Sequence, residues 1–552
     1  MKLPILTLLA LSGMAGISEP TLAVTPAKEG TPFQIVGHIQ KFKLDSTLCP
    51  GVDPALQGAR ITVNGIEIII PCNTIVTMPA TYLTPKDIFD FNPNKVPDES
   101  GLALEDNQPS PAGTKPPFAA FEVALDGNIV NVGGVARHVA GIVRISQQSL
   151  NNGAGYINTI DADGTLHIGG LTPSPTTDAR VRINDSGGEK IIGGRFGLQT
   201  SFLGQGPVPP DVPGVRKITE DGRFTADTGN PTIHAKTGYP MCVPRGPRDD
   251  RCPVLNRPGP ANNPLSFFVM GPKEIDPPAP GMPKIPSCPE CKPQEQAPLM
   301  VGDYINYAGT LAKDSAGRYY ISAHTIDAWV GIYTEPGAAV AYINQEVSLV
   351  GTGTRTTDIV LNPVNGSPIA QEVAPRTIKV EGFTTDPTRP VEVYALEVNP
   401  ATGEKNPIRI GTVQPEAVPF GRFRFLITRA GVGKKQTSPN FPPVFTVSKP
   451  VREIRVKIPN VVETPVANGL TSGQFDAPVS EYIFAENTFF GDPLVPFNFH
   501  RFCFLAQGSG PLSTAGRVNA TTGQGTGPLV KTLKPWPGEA TFDPAVTPIT
   551  CP

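Results

Sequence analysis

An Asn-Gly pair set between two runs of alternating apolar residues constrains this chain most. Residues 59–71 read ARITVNGIEIIIP. A type I′ turn needs positive φ at both central positions, and Asn-Gly supplies it at least steric cost, so Asn64 and Gly65 are expected to form a tight hairpin. Val63 then faces Ile66 and Ile61 faces Ile68, with Ala59, Ile61, Val63, Ile66, Ile68 and Ile70 on one side. Arg60, Thr62 and Glu67 take the other side, with Arg60 diagonal to Glu67. Such a ribbon is half-buried and carries no reactive group.

Similar units recur. FEVALDGNIVNV reads as a hairpin about Asp126-Gly127, YINTIDADGTLHI turns at Asp163-Gly164, RKITEDGRFTAD at Asp221-Gly222, and the run from Met300 to Ile326 at Ala316-Gly317. One short helix is expected in TPKDIFDF, capped by Thr84 with Pro85 in the first turn. With 57 Gly and 64 Pro, turns dominate and long helical periodicities are absent. The reading is an all-β fold, mainly antiparallel, in several sandwich or barrel domains with few short helices.

A chain of 552 residues exceeds one hydrophobic core. The expected division is 1–23 as a signal peptide, 24–252 as N-terminal β domains and 253–298 as a proline-rich linker or extended wrapping segment. A β domain over 299–372 and an immunoglobulin-like sandwich over 373–460 follow, and 461–552 is expected to pack on the β domains. The opening MKLPILTLLALSGMAGISEPTLAV has one Lys, an apolar run and small residues before Ala23, the pattern of a secretory leader. Its apolar stretch falls short of the roughly 20 residues that cross a bilayer. The expectation is an exported chain with no membrane span.

In an exported chain eight cysteines are expected to be oxidised. Cys49 with Cys72, Cys242 with Cys252, and Cys503 with Cys551 are the natural local pairs. Cys288 and Cys291 form a Cys-Pro-Glu-Cys read as a local disulfide or a bridge elsewhere rather than as a redox centre. Asn184, Asn365 and Asn519 head N-x-S/T sequons and are expected on surface loops.

A net charge of −3 with 17% charged residues provides no basic stripe, which argues against nucleic acid as a partner. The six histidines are isolated, with no HxxxH or Cys/His cluster, so no local metal site is indicated. Asp161 and Asp163 have calcium-ligand chemistry but sit in a turn sequence that explains them. No glycine-rich run follows a strand and opens a helix. What remains is aromatic: His500-Arg501 lies among Phe residues in FNFHRFCF, and His324 precedes Trp329 in SAHTIDAWVGIY. An apolar site with a few hydrogen-bond donors suits a hydrophobic small molecule.

Five phrases, GTPFQIVGHIQKF, ITVNGIEIIIPCNTIVTMPA, NPTIHAKTGYPMCVPR, VGDYINYAGTL with YYISAHTI, and VEGFTTDPTRPVEVYA, resemble a group of secreted, mostly fungal proteins. That group includes the hetero-Diels–Alderases of tropolonic sesquiterpenoid biosynthesis, and the likeness runs from about residue 31 to 510. It implies that a hydroxymethyl tropolone loses water to an ortho-quinone methide, which adds to a humulene-type alkene to close a dihydropyran ring. Such a reaction uses no nucleophile, metal or redox cofactor. It asks for aromatic walls and a few donors, and His324, Trp329, Tyr482, His500 and Arg501 are the expected lining. His500 or Arg501 would bond the tropolone oxygens, and a histidine would assist the dehydration. The rival reading is a non-catalytic exported binding or wall-associated protein, which should show exposed aromatic platforms in place of a closed apolar site.

Overall fold

The structure, a computed structural model, describes residues 30–538 except 93–95, 108–120, 147–150, 175, 185–220, 228–229, 245–251, 261–262, 277–282, 315, 352–358, 362–367, 371–376, 417–420, 429–450, 463–469, 484–496, 498, 515 and 520–522. These residues form an all-β protein of several sheets with only short helices. No described helix is long and apolar enough to cross a membrane.

The first unit grows from the Asn64-Gly65 hairpin. Asn64 and Gly65 have φ of 52° and 77°, and the strands Gly58–Val63 and Ile66–Ile70 pair Val63 with Ile66 and Ile61 with Ile68. Arg60 donates to Glu67 at 2.8 Å across the outer face. The inner face joins Val123, Leu125, Ala140 and Val143 in one core. Gly58–Val63 pairs with the long strand Thr31–Asp45, which pairs in turn with Glu122–Val132 and then Val135–Ser146. Ile66–Ile70 pairs parallel with Val135–Ser146, so these five strands close on one another.

One expected hairpin is absent. FEVALDGNIVNV runs as the single strand Glu122–Val132, with a register slip at Asp126/Gly127. The chain instead reverses at Gly133-Gly134, φ 61° and 85°, and the ladder continues past Asp126-Gly127 with Gly141 as the extra residue on the opposite strand. The Asp221-Gly222 turn also differs: Asp221 caps the 3-10 turn Gly222–Phe224. The turns at Gly164 and Gly317 have positive φ where expected. In the helix Pro85–Asp90, Thr84 and Asp87 form a reciprocal capping box.

The second unit is a six-stranded sheet that again closes. Asn152–Ile160, Leu166–Gly169 and Ala179–Ile183 lead round to Tyr319–Ala328, which pairs parallel with Ala179–Ile183 and antiparallel with Tyr304–Lys313. The proline-rich stretch wraps this unit rather than hanging free. Phe267–Met270 adds parallel to Gly331–Thr334, and Phe268 and Met270 are fully buried in the same core as Ile305 and Ile326. Asn256 donates to three carbonyls of that stretch, and Arg257 meets Asp303 at 2.8 Å.

The third unit is a sandwich of two four-stranded sheets. One holds Arg422–Thr428, Thr377–Thr384, Ile343–Gly351 and Glu481–Ile483; the other holds Lys405–Val413, Val391–Val398, Glu453–Lys457 and Gln474–Pro478. The strand Ile343–Gly351 belongs here, although it precedes the boundary expected at 372. The tail then returns to the first unit. Cys72 and Lys534 exchange backbone hydrogen bonds, Asp87 takes Arg517 at 2.7 Å and Thr514 at 2.8 Å, and Asn128 donates to Phe497 and Pro537 carbonyls.

Cys49–Cys72, Cys242–Cys252 and Cys288–Cys291 are bridged. Cys503 is also disulfide-bonded, and its expected partner Cys551 lies outside the described residues. The sequons need correction at one site. Asn184 is fully buried, with its amide nitrogen donating to Asp221 and Phe224 carbonyls, because it ties a turn to the second sheet. Asn519 is exposed, and Asn365 lies outside the described residues.

Candidate functional site

The five residues expected to share one pocket fall in two regions. His324 sits in Tyr319–Ala328 where the ladder to Tyr304–Lys313 slips: Ala308 faces Thr325 and Gly309 faces Ala323, which leaves His324 as the extra residue of a bulge. It is fully buried, its Nδ1 lies 2.9 Å from Thr325 Oγ1, and its Nε2 has no hydrogen-bond partner. Burial lowers its pKa to about 4, so the ring is neutral at pH 7. Beside it the register lines up Thr310, Ser322 and Arg182, all buried, with Arg182 bonded to Asp163 at 3.0 Å and stacked 5.1 Å over Tyr320. Trp329 is five residues further along, roughly 15 Å away in an extended strand, and about half exposed at 48%.

Tyr482 and His500 belong to a different place, the aromatic cluster where the tail meets the sandwich. Tyr482 is buried, donates its hydroxyl to the Val451 carbonyl and packs edge-on against Phe502 at 5.0 Å. His500 occupies the turn Phe499–Arg501 and lies 5.2 Å from the Trp536 ring. Its neighbour Phe499 presses on the first sheet at Gly141, where any Cβ would sit 2.5 Å from the Phe499 ring. The backbone of Arg501 is in the same turn, and its side chain lies outside the described residues.

At this junction lies a residue the sequence did not single out. Arg452 precedes the strand Glu453–Lys457, next to the carbonyl that accepts from Tyr482. Its guanidinium lies 5.4 Å from the Tyr82 ring and 4.6 Å from the Phe504 ring. Among the described residues no acceptor bonds it and no carboxylate pairs with it, since the adjacent Glu453 is turned to Lys405 at 2.7 Å. Burial depresses its pKa, the direction set by partial withdrawal of the charge from water. The Tyr82 hydroxyl is buried without a partner, and burial raises its pKa well above the ordinary phenol range.

Three units build this site. Tyr82 comes from the short strand Tyr82–Leu83 of the first sheet, Arg452 and Tyr482 from the sandwich, and Phe504 from the tail helix Cys503–Ala506. Close by, Arg144 donates to the Ser480 carbonyl and to Asp126, whose carboxyl is pushed up by burial. A guanidinium set against two rings and without a bonded acceptor among the described residues, with an unpartnered phenol beside it, offers N–H and O–H donors to an oxygen-bearing molecule. Among the described residues no group of three or more His, Cys, Asp or Glu is placed to hold a metal ion. No protein-family model, curated protein or solved structure matches this chain.

Proposed function

We propose that the chain is an exported hetero-Diels–Alderase that joins a tropolone-derived ortho-quinone methide to a humulene-type sesquiterpene, and that it works at Arg452. The observation that carries the reading is the half-buried Arg452 guanidinium, set against the Tyr82 and Phe504 rings with no acceptor among the described residues. The disulfides fit maturation in an oxidising compartment.

In this reading the hydroxymethyl tropolone loses its hydroxyl as water, and the resulting C=C–C=O heterodiene adds across one alkene, forming one C–C and one C–O bond. Electron density moves onto the tropolone oxygen as the bonds form. Arg452 N–H groups aimed there favour that charge more in the transition state than in the ground state. The phenol of Tyr82 is a second donor. Phe502, Phe504 and the Tyr82 ring bury the flat and greasy partners at about 25 cal/mol per Å². Holding both in one near-attack geometry supplies on the order of 7–11 kcal/mol. Water kept from the site cannot add to the quinone methide. The test is to incubate the purified protein with a hydroxymethyl tropolone and humulene. The reading expects faster formation of one dihydropyran adduct than in the protein-free control. A product mixture and rate equal to that control would refute it.

A further inference from the structure

The face of the second sheet opposite the core that holds Ile157 and Ile305 carries a row of rings unrelated to Arg452. Tyr156, Tyr304 and Trp329 come from three neighbouring segments: Tyr156 pairs with Tyr304, and the Trp329 backbone N–H donates to the Tyr304 carbonyl at 2.9 Å. Their rings follow one another at 5.1 Å and 6.1 Å, each pair nearly perpendicular at 74° and 85°. The Trp329 side chain is 48% exposed and the two tyrosines are half-buried, so the row opens to solvent at its Trp end.

The next row along the same strands is polar. Asn306 faces Asp327, and Asp327 pairs with His234 on the following strand. Lys236 Nζ lies 2.7 Å from Asp327 Oδ2, 3.1 Å from Glu346 Oε1 and 6.0 Å from the centre of the Trp329 ring. Two carboxylates around one ammonium leave the patch with a net negative charge, which repels phosphate- or sulfate-bearing polymers. The charged groups hold one another in fixed positions beside the indole, so their remaining lone pairs and N–H groups are preorganised.

We propose that this patch binds a neutral polysaccharide. A pyranose ring has a flat C–H face that suits an exposed indole and a rim of hydroxyls that both donate and accept. The Asp327–Lys236–Glu346 cluster offers both roles beside the half-exposed Trp329 ring. The site would hold the protein on a polymer surface while Arg452, in another unit, stays free.

Sedimentation with insoluble chitin, β-1,3-glucan and cellulose tests this with the full chain. Wild-type protein should pellet with at least one of the three, and Trp329→Ala should lower the bound fraction at least tenfold at an unchanged melting temperature, as expected for an exposed side chain. Asp327→Asn should weaken binding as well, and Arg452→Met should bind like wild type. Wild-type protein that stays in the supernatant with all three polymers, or Trp329→Ala protein that pellets as wild type does, overturns the proposal.

Discussion

The guanidinium of Arg452 lies 4.6 Å from the centre of the Phe504 ring, and no carboxylate among the described residues forms an ion pair with it. Most arginines nearby are paired: Arg455 with Asp476 at 2.7 Å, Arg144 with Asp126 at 3.2 Å. A charge set on rings without an acid costs desolvation and gains only cation–π attraction. Arg452→Met should therefore leave the protein as stable as wild type, within about 1 kcal/mol, or more stable. Urea denaturation measures it. A loss of several kcal/mol would mean that Arg452 is a structural tie.

The buried His324 makes stability depend on pH. Its folded-state pKa of about 4 lies below the ordinary 6.5, so the unfolded chain binds the proton more readily. The contribution is full above pH 6.5 and is lost as pH falls toward 4, by up to about 3 kcal/mol. In His324→Gln protein the decline over that window should be shallower by this amount. Parallel pH profiles for the two proteins would contradict the assignment.

The Cys49–Cys72 bridge closes the segment that contains the first hairpin, and Cys72 also pairs with Lys534 of the returning tail. Replacing both cysteines by Ser should cost roughly 2–5 kcal/mol and loosen the tail. Hydrogen exchange at Lys534 should then rise together with exchange at Ile61 and Ile68. Unchanged protection at Lys534 would show that the tail docks independently.

Of the two sequon asparagines among the described residues, Asn519 should accept a glycan in a eukaryotic secretory host and Asn184 should not. Asn519 is exposed, whereas the Asn184 amide nitrogen is buried on two carbonyls. Mass mapping of the tryptic peptides decides this. A glycan on Asn184 would mean that the segment is open while the chain folds.

Local turn chemistry was legible where one dipeptide decides the backbone. Asn64-Gly65, Thr84 with Pro85, and Gly317 all behave as their residue types require. Asp126-Gly127 misled because Gly127 serves close approach inside a continuous strand, where a Cβ would meet Val139 O and the Phe33 ring, and only the partner strands reveal that need. The candidate site was half legible. The aromatic content around Tyr482 and Phe504 is visible in the sequence, and Tyr482 does pack there. Arg452 was not, because whether an arginine is paired depends on which carboxylates fold beside it. His324 and Trp329 were grouped with Tyr482 on aromatic company alone, but they lie on a different sheet.

The most direct measurement is the rate and product ratio of wild type and Arg452→Met protein with a hydroxymethyl tropolone and humulene, at equal folded concentration. Loss of a preorganised donor to a developing oxyanion costs about 10²–10³ in rate. The account predicts a fall of that size and a drift toward the uncatalysed product mixture, with Arg452→Lys in between because it keeps the charge and loses the planar fork. Wild-type rate and selectivity in Arg452→Met protein would contradict it.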